Sequence, residues 1–327
     1  MRMKTPKVLQ AFNEESLATA RVLLSARVAT MMGRKLEEGD WADVYCRSKG
    51  IPCTGWSNLR LDVMYGNLGV EHKMLCVGSK KSISAFCGTS RMHPSATRSI
   101  RIPEGEKDAT VAARDVLKQY ADWIGERASR VRENANGAKP DMRTGWLLWQ
   151  TSLREFLYFE EEMLPPNPDD FYADWSERAS GSGTRKRSKN IWVFEKETGK
   201  KRFSITNEAD PKIQPYFDVP PSTHPNLYLF TAQGEILADG LIRIWITRST
   251  ARFLEQALGS LDTDCVSEAI VAAAQEMPAE ASSHGDEDQA AVSLVITAEA
   301  YSALNSAFSG VSDEHMVQLV VKYLQAQ

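Results

Sequence analysis

Residues 58–77 constrain the fold more than any other stretch of the chain. They form the sequence NLRLDVMYGNLGVEHKMLCV, with two apolar runs on either side of Gly66 and Asn67. Tight hairpin turns favour glycine and asparagine, because both residues tolerate positive φ. Pairing the two runs outward from this tip places Asp62 directly opposite Glu71. The segment therefore predicts an antiparallel β-hairpin that brings two acidic side chains together.

The alternation of side chains along the two strands assigns the neighbouring residues to faces. Lys73 lies on the same face as Glu71, whereas Leu61 and His72 point to the other side. Two carboxylates opposed across a ladder repel each other, and a divalent cation between them would turn that repulsion into attraction. The hairpin thus predicts a metal-binding pair, Asp62 and Glu71, with Lys73 beside it.

An ordinary ion pair is the alternative explanation of these residues. Glu-x-Lys is a common tripeptide, and on an exposed strand Glu71 and Lys73 would form a minor surface salt bridge. The metal prediction also depends on the register of the hairpin, which a loop of odd length would shift by one residue. The hairpin alone leaves both interpretations open.

Helices are predicted ahead of the hairpin. Residues 13–38 carry an apolar stripe, Asn13 can cap the first turn, and Glu37 lies near the end of the stripe. A second helical segment is predicted over residues 41–49. The predicted order is therefore helix, helix and then a hairpin with acidic residues.

A helix that carries Glu37, followed by Asp62 and then by Glu71-x-Lys73 in an apolar strand, resembles the PD-(D/E)xK nuclease superfamily. Since the sequence has no helicase or nucleotide-binding motif, it is most similar there to the type II restriction endonucleases. The resemblance covers residues 31–77. The residue before Asp62 is leucine, where the name of the superfamily has proline.

The resemblance implies a role for each of these residues. Asp62 and Glu71 would hold Mg²⁺, and Lys73 would orient or activate the attacking water. Glu37 would be the acid supplied by the helix, with the adjacent Glu38 as the alternative. The implied activity is magnesium-dependent, sequence-specific cleavage of double-stranded DNA by a homodimer that needs no nucleotide cofactor.

Basic residues gather in two segments that are rich in small and polar residues, and these predict DNA-binding loops. The segments are residues 78–103 and residues 180–190. Lysine and arginine in such loops can contact phosphates, and arginine can bond the edge of guanine. Solvated loops without a partner are the alternative. The predicted DNA-binding residues are Arg91, His93, Arg98 and Arg101 in the first segment and Arg185, Lys186, Arg187 and Lys189 in the second.

Further strands and helices complete the predicted core. An amphipathic helix is predicted over residues 109–132, and aromatic-rich strands over residues 145–150 and 154–160. A second hairpin is predicted over residues 191–206, and the prolines of residues 211–225 predict an irregular segment. The predicted fold class is α/β (α+β), a restriction-endonuclease-like core in which helices flank a mixed central β-sheet.

Composition changes near the C-terminus. Residues 277–290 are rich in Ala, Glu, Ser and Asp and predict a linker. Residues 1–276 would then be the nuclease domain with its DNA-binding loops, and residues 291–327 a small strand-helix-helix unit. Its order of elements resembles a ribbon-helix-helix protein, but its strand offers only Ser293 for reading DNA, so the prediction is a dimerisation or packing role.

The whole chain has the composition of a soluble globular protein, with 43% hydrophobic and 25% charged residues and a formal net charge of −4. Five cysteines form no zinc-ligand spacing, and no apolar run is long enough to span a membrane. The cytoplasm is therefore the expected compartment. Two other functions stay open: a repair or defence nuclease directed by DNA structure or modification, and a noncatalytic DNA-binding protein.

Overall fold

The structure is a computed structural model. It describes residues 6–31, 35–52, 61–94, 100–177, 189–206, 211–276, 291–308 and 311–326. The helices in these residues are α1 (Glu14–Thr30), α2 (Glu38–Ser48), α3 (Ala109–Asn134), α4 (Arg248–Leu258), α5 (Thr263–Glu276), α6 (Ala298–Ala307) and α7 (Asp313–Ala326). The strands are β1 (Val8–Leu9), β2 (Val63–Tyr65), β3 (Leu68–Val77), β4 (Ser90–Met92), β5 (Asp141–Gln150), β6 (Glu155–Glu162), β7 (Phe171–Glu177), β8 (Lys189–Glu195), β9 (Lys201–Thr206), β10 (Lys212–Asp218), β11 (Tyr228–Thr231), β12 (Glu235–Ile236), β13 (Leu241–Thr247) and β14 (Ala291–Thr297). Helices and sheets are both present throughout, which confirms the predicted α/β (α+β) class.

The central sheet has the strand order β1-β6-β5-β3-β2, and β11 also pairs with β6. β3 and β5 run parallel, with Leu68 beside Asp141 and Val77 beside Gln150, while the other described pairs of this sheet are antiparallel. Parallel neighbours need a long crossover, and α3 supplies it between β3 and β5. The sheet is therefore mixed, as predicted, with α1 and α2 on one face and α3 on the other.

The hairpin of β2 and β3 has the predicted register. Val63 pairs with Val70, Met64 with Gly69 and Tyr65 with Leu68, around a turn in which Gly66 has φ of +55°. This positive φ is the conformation that favours glycine at the tip. Asp62 lies at a bend one residue before β2, so it is just outside the ladder.

One residue of the hairpin lies on a face other than the predicted one. A Cβ atom at Gly69 would lie 2.6 Å from Cδ1 of Leu61 and 2.7 Å from Cγ2 of Val131 on α3. Leu61 is therefore on the α3 face, and the prediction that it shares the face of His72 is wrong. The bend at Asp62 is the reason, since strict alternation ends where the extended strand ends.

The first helix is shorter than predicted. Asn13 caps α1 as expected, with its Oδ1 accepting the backbone N–H of Ser16 at 2.8 Å, but α1 ends at Thr30. Glu37 is in extended conformation as the N-cap of α2, and its backbone N–H donates to Oδ2 of Asp40 at 2.9 Å. Glu37 thus belongs to the start of the second helix, not to the end of the first.

A second sheet, with the order β4-β10-β9-β8-β7, packs on the other side of α3. Its β8–β9 pair is the predicted second hairpin. The prediction of an irregular segment over residues 211–225 is wrong for residues 212–218, because β10 pairs with both β4 and β9 and buries Ile213 and Phe217. It is confirmed for residues 219–225, which form turns and coil. Pro215 fits this strand since its carbonyl oxygen accepts the N–H of His93 at 2.9 Å and proline removes only a donor.

A third sheet, with the order β12-β13-β14, packs with α4 to α7 around one apolar core. β14 pairs with β13 along its whole length, from Leu241 beside Thr297 to Thr247 beside Ala291. The C-terminal segment of residues 291–326 is thus built into a core that also contains β13, α4 and α5. The predicted linker lies outside the described residues, so the predicted domain boundary there stays a prediction.

α1 lies between the central and third sheets, since it packs on the first and also contacts β13 and β14. None of the described helices has the length and apolar character needed to cross a membrane.

Candidate active site

Asp62 and Glu71 meet at the open end of the hairpin. Oδ2 of Asp62 accepts the backbone N–H of His72 at 2.6 Å, which holds the carboxylate beside the preceding residue, Glu71. Each of the two acidic residues is only 8% exposed. Burial of two neighbouring carboxylates costs free energy, so their positions need compensation by cations.

Two cations bond to Glu71, one at each carboxylate oxygen. Nζ of Lys73 lies 2.6 Å from Oε1, on the same strand face as predicted. Nη1 of Arg127, from α3, donates to Oε2. The alternative of an exposed surface pair is therefore wrong, because Glu71 and both cations are largely buried.

Asp62 is the acidic residue whose charge is less well compensated. Burial, together with the nearby charges of Glu71 and Glu38, raises the pKa of Asp62 to about 7. The hydrogen bond from His72 and the charge of Lys73 oppose this rise in pKa without cancelling it. The site thus favours an additional positive charge next to Asp62.

Of the two adjacent acids at the start of α2, Glu38 is the one whose charge acts on Asp62. Glu38 is the first residue of α2, is half-buried and lies close enough to raise the pKa of Asp62. Glu37 is exposed at the N-cap position. The sequence offers both residues as the helix acid, and the charge effect on Asp62 favours Glu38, while the role itself stays a prediction.

Arg127 was missed by the sequence analysis, although the sequence contains a signal for it. The buried face of α3 recurs at Tyr120, Ile124, Arg127 and Val131, so a charged residue occupies a position in an apolar stripe. Arginine at such a position needs a buried partner, and here it has Glu71. Its guanidinium also lies over Trp123, with 3.4 Å between Cζ and the ring centroid.

The pair of Asp62 and Glu71 is what this site offers to a metal ion. The described parts of the chain contain no group of three or more His, Cys, Asp or Glu side chains placed to hold a metal. Magnesium, however, commonly binds proteins through one or two carboxylates and keeps several water molecules. Asp62 also lacks a cation of its own, so this pair of carboxylates fits Mg²⁺.

His72 lies on the opposite face of the sheet, as predicted. It is fully buried, and its Nδ1 lies 3.3 Å from the hydroxyl of Tyr158, while the ring of Tyr45 is 5.0 Å away between centroids. Burial lowers the pKa of His72 to about 3, and the charge of Lys73 adds to this effect. The side chain is therefore neutral and packed, while its backbone N–H serves Asp62.

The predicted DNA-binding residues of the first loop have different environments. Arg91 is half-buried in β4, with Cζ 4.2 Å from the ring centroid of Phe86. His93 is 6% exposed, its Nε2 lies 3.2 Å from the carbonyl oxygen of Met74, and a DNA contact does not fit a ring in that position. Arg101 is exposed.

The other predicted DNA-binding residues lie outside the described residues or are described only in part. Arg98, Arg185, Lys186 and Arg187 lie outside the described residues, and Lys189 is described only through the backbone pairing of β8. Their predicted role stays a prediction.

Comparison with known proteins gives no match of any kind. No family model fits the sequence, and neither a curated protein nor a solved structure is significantly similar to the chain. The function has to be inferred from the site itself.

Proposed function

We propose that this protein is a magnesium-dependent, sequence-specific endonuclease for double-stranded DNA, of the type II restriction class. The observation that carries the proposal is the buried pair of Asp62 and Glu71 with Lys73 beside it, at the end of a rigid hairpin. Carboxylates that can hold a metal ion, with a cation beside them, suit the hydrolysis of a phosphodiester at neutral pH.

The residues have distinct roles in this reaction. Asp62 and Glu71 hold the metal ion, which when bound activates water and neutralises charge on the phosphate oxygens. Lys73 places a positive charge next to the attacked phosphate and orients the attacking water. The hydrogen bond from His72 to Asp62 fixes the first carboxylate, and α2 adds the negative charge of Glu38.

A homodimer would cut both strands, with one subunit acting on each. β14 is an edge strand of the third sheet, and an edge strand can pair with a second chain. The C-terminal segment is therefore the proposed dimerisation surface, and sedimentation of the purified protein tests it. The proposal also includes a cytoplasmic location and no nucleotide cofactor.

DNA cleavage is the direct test of the proposed function. The purified protein should convert phage DNA to discrete fragments with magnesium and leave it intact with a chelator. Asp62→Asn and Lys73→Met proteins should not cut, and cleavage by either at the wild-type rate would refute the assignment of the site. A smear of products, or activity only on nicked or modified DNA, would point instead to a nuclease directed by DNA structure or modification.

A noncatalytic DNA-binding protein is the second candidate, and one observation favours it. Glu71 already has a cation at each carboxylate oxygen, Lys73 and Arg127, so it forms a complete ion-pair network without a metal. This candidate predicts that divalent ions do not bind the DNA-free protein and that no DNA is hydrolysed. Titration calorimetry with Mn²⁺ separates the two candidates before any cleavage assay.

A further inference from the structure

Arg127 is a buried cation bonded to the carboxylate that the proposed reaction assigns to magnesium. Its Nη1 donates to Oε2 of Glu71, and its side chain is only 8% exposed. Lys73 takes Oε1 of the same carboxylate. A metal ion that binds Glu71 through Oε2 must therefore compete with Arg127.

When Asp62 and Glu71 are ionised, Lys73 and Arg127 match their two charges in number before any metal arrives. Both cations bond to Glu71, however, and Glu38 adds a negative charge near Asp62. A divalent ion between the carboxylates would be repelled by both cations, and at buried positions such interactions are strong. Moving Arg127 away from Glu71 removes one of these repulsions, whereas Lys73 is required for the reaction.

Trp123 supports the guanidinium of Arg127 in the same position in which it bonds to Glu71. The two residues are four apart on α3, so they share one face of the helix, and Cζ of Arg127 lies 3.4 Å from the centroid of the indole. The ring of Trp123 is itself backed by Tyr120, with 5.9 Å between centroids and an interplanar angle of 21°. A guanidinium released from Glu71 can thus stay on the indole by a cation–π contact.

A guanidinium held there would lie next to the metal site with its donors free. The planar fork of arginine matches the oxygens of a phosphate, and a charged hydrogen bond of this kind is strong. The phosphate of a bound DNA would also restore the charge balance that the metal ion disturbs. Arg127 can therefore bond to Glu71 when no metal is bound and to a DNA phosphate when a metal is bound.

We propose that Arg127 couples metal binding to DNA binding. It is the counter-ion of Glu71 in the metal-free protein, the divalent ion displaces it from Oε2, and it then donates to a phosphate of the DNA. This inference rests on the proposed nuclease function. Toward the metal, Arg127 is a positioning residue that acts through Glu71.

Metal affinity without DNA is the first measurement. Arg127→Met removes the competing charge, so Mn²⁺ should bind the DNA-free variant about tenfold more tightly than wild type, within the range of ordinary coupling free energies. Arg132→Met removes the same charge from an exposed position of the same helix and should leave the affinity unchanged. Equal or weaker Mn²⁺ binding by Arg127→Met overturns the proposal.

Coupling to DNA is the second measurement. Fluorescent fragments of sheared phage DNA are titrated with each protein, with and without Ca²⁺, and the binding is followed by anisotropy. The tightening that Ca²⁺ causes in wild type should fall at least about fivefold in Arg127→Met and persist in Arg132→Met. An unchanged effect of Ca²⁺ in Arg127→Met contradicts the role of Arg127 toward phosphate.

Two further results keep the proposal testable if Arg127→Met folds poorly. Mn²⁺ should then restore a cooperative thermal transition, because the metal replaces the lost counter-ion, and failure to restore it overturns the proposal. Arg127→Lys keeps the charge and should keep the wild-type Mn²⁺ affinity. A wild-type protein that binds Mn²⁺ but cuts no DNA refutes the nuclease function, whereas one that cuts DNA while Arg127→Met binds Mn²⁺ no more tightly refutes only the role of Arg127.

Discussion

Two buried carboxylate clusters lie on opposite faces of the central sheet, and they are compensated in different ways. Glu160, on the face of α2, is fully buried and accepts hydrogen bonds from the Tyr158 hydroxyl and from Nη1 of Arg143, both at 2.9 Å. Asp62 and Glu71 form the other cluster, and they are neighbours of like charge. Their two cations both bond to Glu71, while Asp62 keeps a raised pKa.

The difference separates a structural group from a candidate functional one. A buried carboxylate with a partner at each oxygen contributes to the stability of the fold only as long as its partners remain. A buried carboxylate without its own cation destabilises the fold, and perturbed groups of this kind gather at functional sites. The stability of the fold should therefore respond in opposite directions to neutral substitutions of Glu160 and of Asp62, as the following experiments test.

The largest expected effect is on catalysis by the Asp62 cluster. Glu71→Gln should slow DNA cleavage about 1,000-fold, which corresponds to about 4 kcal/mol of transition-state stabilisation. The rate is measured with a plasmid at saturating magnesium. Glu160→Gln is the matched control on the opposite face, and its folded fraction should cut normally. A similar loss in both variants would remove the distinction between the clusters.

The next largest effect is on stability at Glu160. Glu160→Gln leaves the guanidinium of Arg143 without its buried partner, so the free energy of unfolding should fall by about 3 kcal/mol. Urea denaturation followed by circular dichroism measures this change. Stability equal to that of wild type would mean that the Glu160 cluster is not structural.

Asp62→Asn should have the opposite sign. The neutral amide can still accept the N–H of His72 but carries no buried charge, so at pH 8 the metal-free variant should be more stable than wild type by about 2 kcal/mol. Denaturation in chelator measures the difference. A less stable Asp62→Asn protein at pH 8 would show that the ionised carboxylate is well compensated after all.

The dependence on pH follows from the same residue. The pKa of Asp62 is 3.8 in the unfolded chain and about 7 in the folded one, so between these values the folded state holds a proton that the unfolded state has lost. The stability that this proton contributes is present below about pH 4 and is lost as the pH rises to 7. The advantage of Asp62→Asn over wild type should therefore be small at pH 5 and full at pH 8.

The smallest expected effect is on metal affinity and comes from Glu38, at the edge of the Asp62 cluster. Glu38→Gln removes a negative charge near Asp62, so Mn²⁺ should bind about fivefold more weakly, near 1 kcal/mol. Glu37→Gln, one residue earlier and exposed, should leave the affinity unchanged. Equal effects of the two substitutions in a calorimetric titration would leave the helix acid unassigned.

Local chemistry allowed much of the hairpin to be predicted. Gly66 and Asn67 fix the turn, the turn fixes the register, and alternation then places Glu71 and Lys73 on one face. The same rules fail at Leu61, because the chain bends at Asp62. They also miss β10, because the prolines of this segment predict irregular structure, although Ile213 and Phe217 fall on one face of a strand.

Long-range contacts could not be predicted in this way. Arg127 is 56 residues away from Glu71 in the chain. The helical periodicity of the sequence indicates only that Arg127 lies on the buried side of α3. His93 was predicted to contact DNA because it lies in a segment rich in basic and small polar residues, but packing against β3 buries it. Which helix packs on which face of a sheet depends on the whole chain, and a local pattern does not contain it.

The sequence by itself determined that Glu71 and Lys73 share a strand face and that Asp62 lies at the open end of the same hairpin, because a two-residue turn and the period of a strand are local properties. Only the tertiary structure decided how their charges are compensated. Burial beneath α3, the bond from Arg127 and the approach of α2 through Glu38 all arise from the packing of elements that are distant in the chain. Charge interactions depend on burial and on every neighbour in space, so the electrostatic state of the site is a property of the fold.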